Sequence, residues 1–368
     1  VNLQHVRAVA RKEWHHLLRD PRSLALMLLM PTMLLFLFGY AIRLDVTEAP
    51  IGVLQQSDTR AARELAAHFD ASHAFQVVQR LADRAELTRA IQAGEIWAAL
   101  VIPPDYARQL QRGRARLQLI LDGVDANTAR LMRNYALALV NERAMALSNR
   151  PPALTVKDRA WFNQARLSRL AILPGVIAIV MAVIGALMTS LTVAREVEQG
   201  NLVMLRTTPL TRGEFLAGKL APYFVIGMGD LVIAASVAVL IFDVPLRGSV
   251  VGLTLVSALF LLVVMLQGAV ISIAAGNQLL ASQVSLVTTF LPAFLLSGFI
   301  FAIQNMPLVL QYATLVVPAR YFVTLSKVIF LKGIGPLVLW TEVAALGLIL
   351  IALAALAMRQ ARRLGLLP

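Results

Sequence analysis

Residues 213–219 read Gly-Glu-Phe-Leu-Ala-Gly-Lys, the G-x-x-x-x-G-K spacing with which a glycine-rich turn cradles phosphates. Leu220 stands where such a loop needs a Ser or Thr hydroxyl for magnesium, and no strand-like run precedes it. The segment also abuts a long apolar stretch, which leaves no room for a nucleotide-binding fold. The same residues have a structural reading: Thr211 and Glu214 have the T-x-x-E spacing of a capping box and predict a short helix ending at Lys219. Other reactive patterns are sparse. His15 and His16 lie in a basic N-terminal stretch, and His68 and His73 lack nearby cysteines or clustered carboxylates, so no metal site is expected. There is no H-E-x-x-H and no G-x-S-x-G, and the absence of cysteine removes thiolate and disulfide chemistry. No catalytic residue and no cofactor bound by this chain are expected.

The elements around this motif belong in lipid. Apolar residues make up 58% of the chain and charged residues 15%, and the mean hydropathy is +0.71; soluble domains carry about 25% charge. The net charge of +13 comes without stacking-aromatic motifs or a continuous basic block, so it reads as charge flanking membrane spans and not as a nucleic-acid surface. Charged and polar residues run through the first 23 positions, so the first apolar run is expected to stay as an anchor.

Residues 23–42 are the first expected span, with Pro31 inside it, and 170–194 and 220–242 are the second and third. These last two carry one charge between them, Asp230, and flank the charged hairpin 195–219. No charge occurs between Arg247 and Arg320. As one helix that stretch would reach about 108 Å, so it must turn back. Gly276-Asn277-Gln278 is the expected break, giving spans near 250–275 and 281–302, and 337–358 is the sixth. Residues 1–22 have an amphipathic pattern in which Leu3, Val6, Ala10, Trp14, Leu17 and Leu18 oppose Arg7, Arg11, Lys12 and Arg19; an interfacial helix is expected. Residues 359–368 form a basic tail. With both termini cytoplasmic, twelve Arg and Lys residues fall on the cytoplasmic side and four in the short outer connections, which favours that orientation.

The segment 43–169 alternates short apolar runs with amphipathic helices, broken at Gly94, Pro103-Pro104, Gly113, Gly123 and Pro151-Pro152. It predicts an inserted extracytoplasmic α/β domain, with a core of its own. The expected architecture is therefore an α-helical integral membrane protein of six transmembrane helices, 170–358 supplying five of them. Asn305-Met306-Pro307 and Val317-Pro318 cut 303–337 into short helices expected to re-enter the outer leaflet.

The hairpin resembles the cytoplasmic coupling loop of type-2 ABC exporter permeases. The likeness rests on Arg195, Glu196, Glu198, Gly200, Leu202, Leu205, Thr208, Pro209, Leu210, Gly218 and Lys219, and on V-P-A-R-Y-F at 317–322 with F-L-K-G at 330–333. Asn201 departs from the family's usual Thr. The resemblance implies a permease subunit of the bacterial inner membrane that exports hydrophobic molecules such as drugs or lipids. It implies an ABC ATPase subunit holding ATP and magnesium, a second permease subunit in a homo- or heterodimer, and in some relatives a periplasmic adaptor and outer-membrane channel. Glu196, Glu198 and Arg206 would be the polar contacts to the ATPase, with Leu202 and Leu205 as apolar anchors, and Arg195, Gly200 and Pro209 would belong to the same set of residues coupling to that subunit.

Within the spans, Asp230 lies roughly 12 Å past Pro222 by helical rise, where a carboxylate is costly and marks a pathway or an interhelical pair. Gln267, Thr288 and Thr289 read as interhelical hydrogen bonds or pathway contacts. Two other classes remain open on the residues alone. A membrane-anchored sensor needs a cytoplasmic signalling domain, whereas the longest cytoplasmic piece is about 25 residues. An ion-driven transporter predicts paired intramembrane acids, and only Asp230 lies deep.

Overall fold

The computed structural model describes residues 2–41, 48–123, 126–147, 168–333 and 335–365. They divide into two compact units, Val1–Ile42 with Ala160–Pro368, and Arg43–Arg159. The first unit opens with helix α1 (Leu3–Leu18), whose first turn is capped by the Asn2 side chain on Gln4 N, and α2 (Pro21–Ala41), which runs through Pro31.

The second unit follows the expected alternation: β1 (Ala49–Gln55), α3 (Arg60–Asp70), β2 (Phe75–Leu81), α4 (Arg84–Gln92), β3 (Ala98–Ile102), α5 (Tyr106–Gln111), β4 (Gln118–Leu121) and α6 (Ala126–Leu147). The sheet order is β2-β1-β3-β4, with β1 parallel to both neighbours and β4 antiparallel to β3. Both faces are covered, which is why every residue of β3 is apolar and buried. Ile51, Val53, Leu65, Phe69, Leu100 and Met132 fill one face; Leu54, Leu81, Leu87, Ile96 and Val101 fill the other. Gly94 sits at φ 73° directly after α4, where the chain must leave the helix through the left-handed region. Gly123 lies among the described residues, whereas Pro151 and Pro152 lie outside them.

The chain then forms α7 (Ser168–Glu198), α8 (Asn201–Arg206), α9 (Arg212–Leu240), α10 (Val250–Ala275), α11 (Gln278–Ser285), a π-helical turn (Leu286–Phe290) and α12 (Leu291–Leu296). After these come α13 (Leu308–Ala313), α14 (Pro318–Lys327) and α15 (Trp340–Ala361). Among the described residues five helices are long and apolar enough to cross a membrane: Ile172–Glu198, Arg212–Leu240, Val250–Ala275, Gln278–Leu296 and Trp340–Ala361. A sixth is made if the bent pair Leu308–Val316 and Pro318–Lys332, angled at 89°, counts as one span; α2 adds the shorter apolar run Leu29–Tyr40. The fold is thus that of a mostly helical, multi-pass membrane protein carrying a small mixed sheet.

Three boundaries differ from the sequence reading. The helix begun by Thr211 does not stop at Lys219 but continues through Pro222 to Leu240, so the third span and the hairpin's second arm are one helix. Lys219 permits this because its ammonium is neutralised inside the protein. The fifth span ends at Leu296, not 302, because Gly298 takes φ 78°. The last helix runs from Trp340 to Ala361 after a 3-10 turn at Pro336–Leu339. The break at 276–278 is as expected: Gly276 closes α10 at φ 70°, and Asn277 caps α11 by accepting from Leu280 N at 2.7 Å.

α7 is the centre of the bundle, buried without interruption from 172 to 186. Small residues let α10 lie against it: Gly185 faces Val264 and Leu261, and Gly268 faces Ala186 and Thr189. Thr189 Oγ1 donates across to Met265 O at 2.9 Å, and Ser272 Oγ accepts from Val193 N and Ala194 N at 3.1 and 2.9 Å. At the opposite end of the bundle the broken backbone of 298–316 is satisfied by two cations of α14. Lys327 Nζ donates to Gly298 O at 3.0 Å, and Arg320 donates to Gln311 O at 3.3 Å and to Thr314 Oγ1. The arginine of V-P-A-R-Y-F therefore stabilises an elbow whose free carbonyls lipid cannot solvate.

A Cβ at Gly268 would lie 2.1 Å from Thr189 Oγ1 and 2.3 Å from Ala186 O, whereas at Gly229 nothing lies within 4 Å. Gly268→Val should destabilise the detergent-solubilised protein by more than ~2 kcal/mol, and Gly229→Ala should leave its thermal unfolding unchanged. Equal melting curves for the two variants would contradict the α7–α10 packing.

Candidate functional site

The hairpin 195–219 is built by a few local devices. Gly200, at φ 71°, ends α7 and starts α8, a turn that a side chain enters only with strain. Thr207 and Thr208 cap the end of α8 through Met204 O and Leu205 O, and Pro209 follows. The Thr211–Glu214 capping box then opens α9. The result is a six-residue helix held between two long ones.

Beneath that tip lies a charge network. Lys219, 2% exposed, donates through Nζ to Glu13 of α1, to Glu196 of α7 at 2.6 Å and, more distantly, to Thr192 O at 3.4 Å. Glu196 also accepts from Lys12 Nζ at 2.8 Å. Two ammonium groups and two carboxylates thus tie α1, α7 and α9 together with no net charge. A second polar anchor sits one turn earlier, where Glu214 accepts from Asn2 N at 2.6 Å, His5 Nδ1 at 3.0 Å and Thr211 N at 3.1 Å. Between the anchors Gly218 lets α1 approach, since a Cβ there would be 2.6 Å from Val9 Cβ and 2.9 Å from Val6 O. Glu214, Gly218 and Lys219 of G-E-F-L-A-G-K are therefore engaged in helix packing, and at the start of α9 Thr211 N meets the chain's own Glu214 carboxylate while Glu214 N meets Thr211 Oγ1.

This changes two roles read from the sequence. Glu196 is 4% exposed and points into the network, so it is an internal buttress and not a surface contact. α1 turns Glu13 and Leu17 inward, with Val6, Val9 and Ala10 half-buried beside them, while Leu3, Trp14 and Leu18 stay exposed, so its apolar residues are divided between a packing face that includes an acid and an exposed face. Desolvating Glu13 is possible because Lys219 waits opposite. Glu198 accepts from Gln278 N at 2.8 Å and from Gln278 Nε2, and Arg195 Nε donates to Gln278 Oε1 at 3.3 Å, so the 276–278 turn is locked to the hairpin. Arg206 Nε donates to Leu364 O at 2.8 Å. Leu205 is half-buried against the bundle core, and Pro209 is exposed. The Leu202 side chain lies outside the described residues.

Sequence reasoning missed Glu13 and Lys12, and also Val203 and Met204, which stand 69% and 75% exposed on α8. Two large apolar residues in a charged hairpin were a usable signal. A lone acid on a basic helix was another.

The intramembrane residues fall in two places. Gln267, Thr288 and Thr289 meet around one cavity, with Gln267 Nε2 donating to Thr288 O at 3.4 Å. Asp230 is apart from them, 2% exposed on α9, and neither carboxylate oxygen has a hydrogen-bond partner among the described residues; the interhelical pair considered for it is not formed there. Among the described residues no three His, Asp or Glu side chains are grouped as metal ligands.

Membrane-length helices, two of which run into a charge-locked, helix-tipped hairpin, define a multi-pass membrane protein. The model of the ABC-2 family transporter proteins matches residues 22–359. The chain belongs to that family, as a permease subunit of an ABC exporter. It is 40% identical over 345 residues to the probable multidrug ABC transporter permease YbhS of Escherichia coli (strain K12), covering 92% of this chain and 91% of that one. It is 30% identical over 336 residues to the probable multidrug ABC transporter permease YbhR of the same strain, covering 90% and 91%. Identity to its inner membrane transport permease YhhJ is 25% over 354 residues, covering 93% and 92%.

Removing the Lys219 ammonium leaves two carboxylates buried. Lys219→Met should cost about 3–5 kcal/mol of stability and expose α1 to limited proteolysis. Adding Glu13→Gln should recover part of that loss. An unaltered digestion pattern for Lys219→Met would show that the network does not hold α1.

Proposed function

We propose that this chain pairs with a second permease subunit, identical or related, and exports hydrophobic molecules such as drugs or lipids from the cytoplasm or inner membrane. ATP and magnesium are held by a separate ABC ATPase subunit, and the chain itself is not an enzyme. The observation that carries this reading is α8, which presents Val203 and Met204 to solvent at the tip of a hairpin braced by Lys219. An ATPase groove that takes those two side chains has a lever. Gly200 and the Thr211 capping box fasten α8 to α7 and α9, and the charge network adds α1, so a pull on the tip moves three helices as one body. The names carried by YbhS and YbhR, probable multidrug permeases, support the substrate class.

Both termini are placed in the cytoplasm, in six spans of the bacterial inner membrane, with the α/β unit in the periplasm. The basic-residue asymmetry supports this. So does the linkage of residues 2–13, 195–219, 278 and 364 at one end of the bundle, while Arg247 N and Gly248 N donate to Phe330 O and Ile329 O at the other. The α/β unit is proposed to dock a periplasmic adaptor leading to an outer-membrane channel. Gln267, Thr288 and Thr289 are proposed as pathway residues, with Asp230 as a separate buried position.

Apolar anchors at interface centres are worth about 2 kcal/mol each, or about thirtyfold in Kd. Val203→Asp with Met204→Asp should therefore abolish co-purification of the ATPase while the permease remains in the membrane; retained co-purification would refute the docking role of α8. In this cysteine-free chain, Asp58→Cys should react with an impermeant maleimide added outside intact cells, and Gln199→Cys only after permeabilisation. The reverse pattern would invert the topology.

A further inference from the structure

The cavity that Gln267, Thr288 and Thr289 share has a volume of about 180 Å3 and lies between α7, α10, the π-helical turn with α12, and the elbow at 316–319. Its walls are largely apolar, with Ala182, Val264 and Ala293 among them, and no charged side chain among the described residues lines it. An apolar cavity of about 150 Å3 stays dry and admits benzene. This one has space for a single ring with a small substituent.

Its polar atoms are few and underused. Pro292 has no N–H, so the carbonyl four residues earlier, that of Thr288, receives no helical hydrogen bond from it. The π-helical turn Leu286–Phe290 accommodates that gap. Gln267 Nε2 covers the carbonyl only at 3.4 Å, near the limit of a hydrogen bond. Beside it Thr289 lines the cavity at 6% exposure, and its hydroxyl has no partner among the described residues. The Thr288 hydroxyl is already engaged, donating to Val284 O at 2.7 Å. The wall therefore presents a carbonyl with a free lone pair and, on the next residue, a spare hydroxyl that is itself sealed from solvent and meets an occupant by rotation about χ1, in an apolar pocket open on one side. A buried hydroxyl left unpartnered costs roughly 1–3 kcal/mol, which an occupant with a matching group relieves. An ionised group would meet no counter-charge there and would lose its hydration.

We propose that this cavity is a recognition subsite for an uncharged, ring-sized apolar group bearing one hydroxyl, held between the Thr289 hydroxyl and the Thr288 carbonyl. It deepens the export reading, on which its role in transport rests. The binding itself does not depend on any ATPase.

The test uses the full-length permease in lipid nanodiscs without a partner, with empty nanodiscs as reference, and fluorine NMR of three probes: 4-fluorophenol, fluorobenzene and 4-fluorobenzylammonium. Saturable binding of 4-fluorophenol is expected, with fluorobenzene about three- to tenfold weaker, the worth of one hydrogen bond, and no saturable binding of the ammonium probe. Thr289→Val should bring 4-fluorophenol down to the level of fluorobenzene. Ala293→Phe should remove both. The proposal is overturned if wild type shows no saturable binding, if the ammonium probe matches the phenol, or if Thr289→Val leaves the preference intact; the last outcome decides the matter even where Ala293→Phe fails to fold. Loss of ATP-driven transport in the assembled complex would instead count against export and leave the binding result standing.

Discussion

A single ammonium group buried between two carboxylates organises this permease. Lys219 is buried away from solvent, so its position is set by Glu13 and Glu196, which sit on two other helices. Low dielectric makes that geometry stiff, because any displacement that separates the charges leaves one uncompensated. The pair that Glu214 makes with Asn2 and His5 acts at the adjacent turn, so α1 is fixed at two points along α9. A hairpin tip six residues long can move a bundle only if its base does not yield, and the charge network supplies that stiffness without net charge at the membrane boundary.

The other end of the bundle solves a different problem. The chain from 298 to 316 is irregular, and its carbonyls have no water in a bilayer. Arg320 and Lys327 answer them directly, with Thr314 as relay. Cations serve two purposes in this protein: at one end they lock helices through carboxylates, and at the other they satisfy broken backbone.

Local pattern made much of this legible. The eight elements of the α/β unit follow from alternation and its glycine and proline breaks, and the hairpin follows from Gly200, Pro209 and the capping box. What stayed hidden depended on distant partners. Glu13 looks like a surface residue on a basic helix until Lys219, 206 residues away, is placed beside it. Glu196 reads as a surface contact for the same reason. The continuity of α9 across Lys219 was hidden because a charge ordinarily ends an apolar run, and the exception requires the pair. Gln267 and the two threonines were recognisable as polar residues in spans, but only the missing N–H of Pro292 and the elbow opposite make them one chamber. Asp230, equally conspicuous in sequence, lies elsewhere.

The separation between Glu13 and Lys219 also sets a timetable. At about 5–20 residues per second, a ribosome takes on the order of 10–40 s to reach Lys219 after Glu13 has emerged. The whole α/β unit is made in that interval. During it α1 has neither of its anchors. The outward residues Leu3, Trp14 and Leu18, which contribute little to the finished core, are of the kind with which an amphipathic helix binds a headgroup surface, and that is what such a waiting period requires.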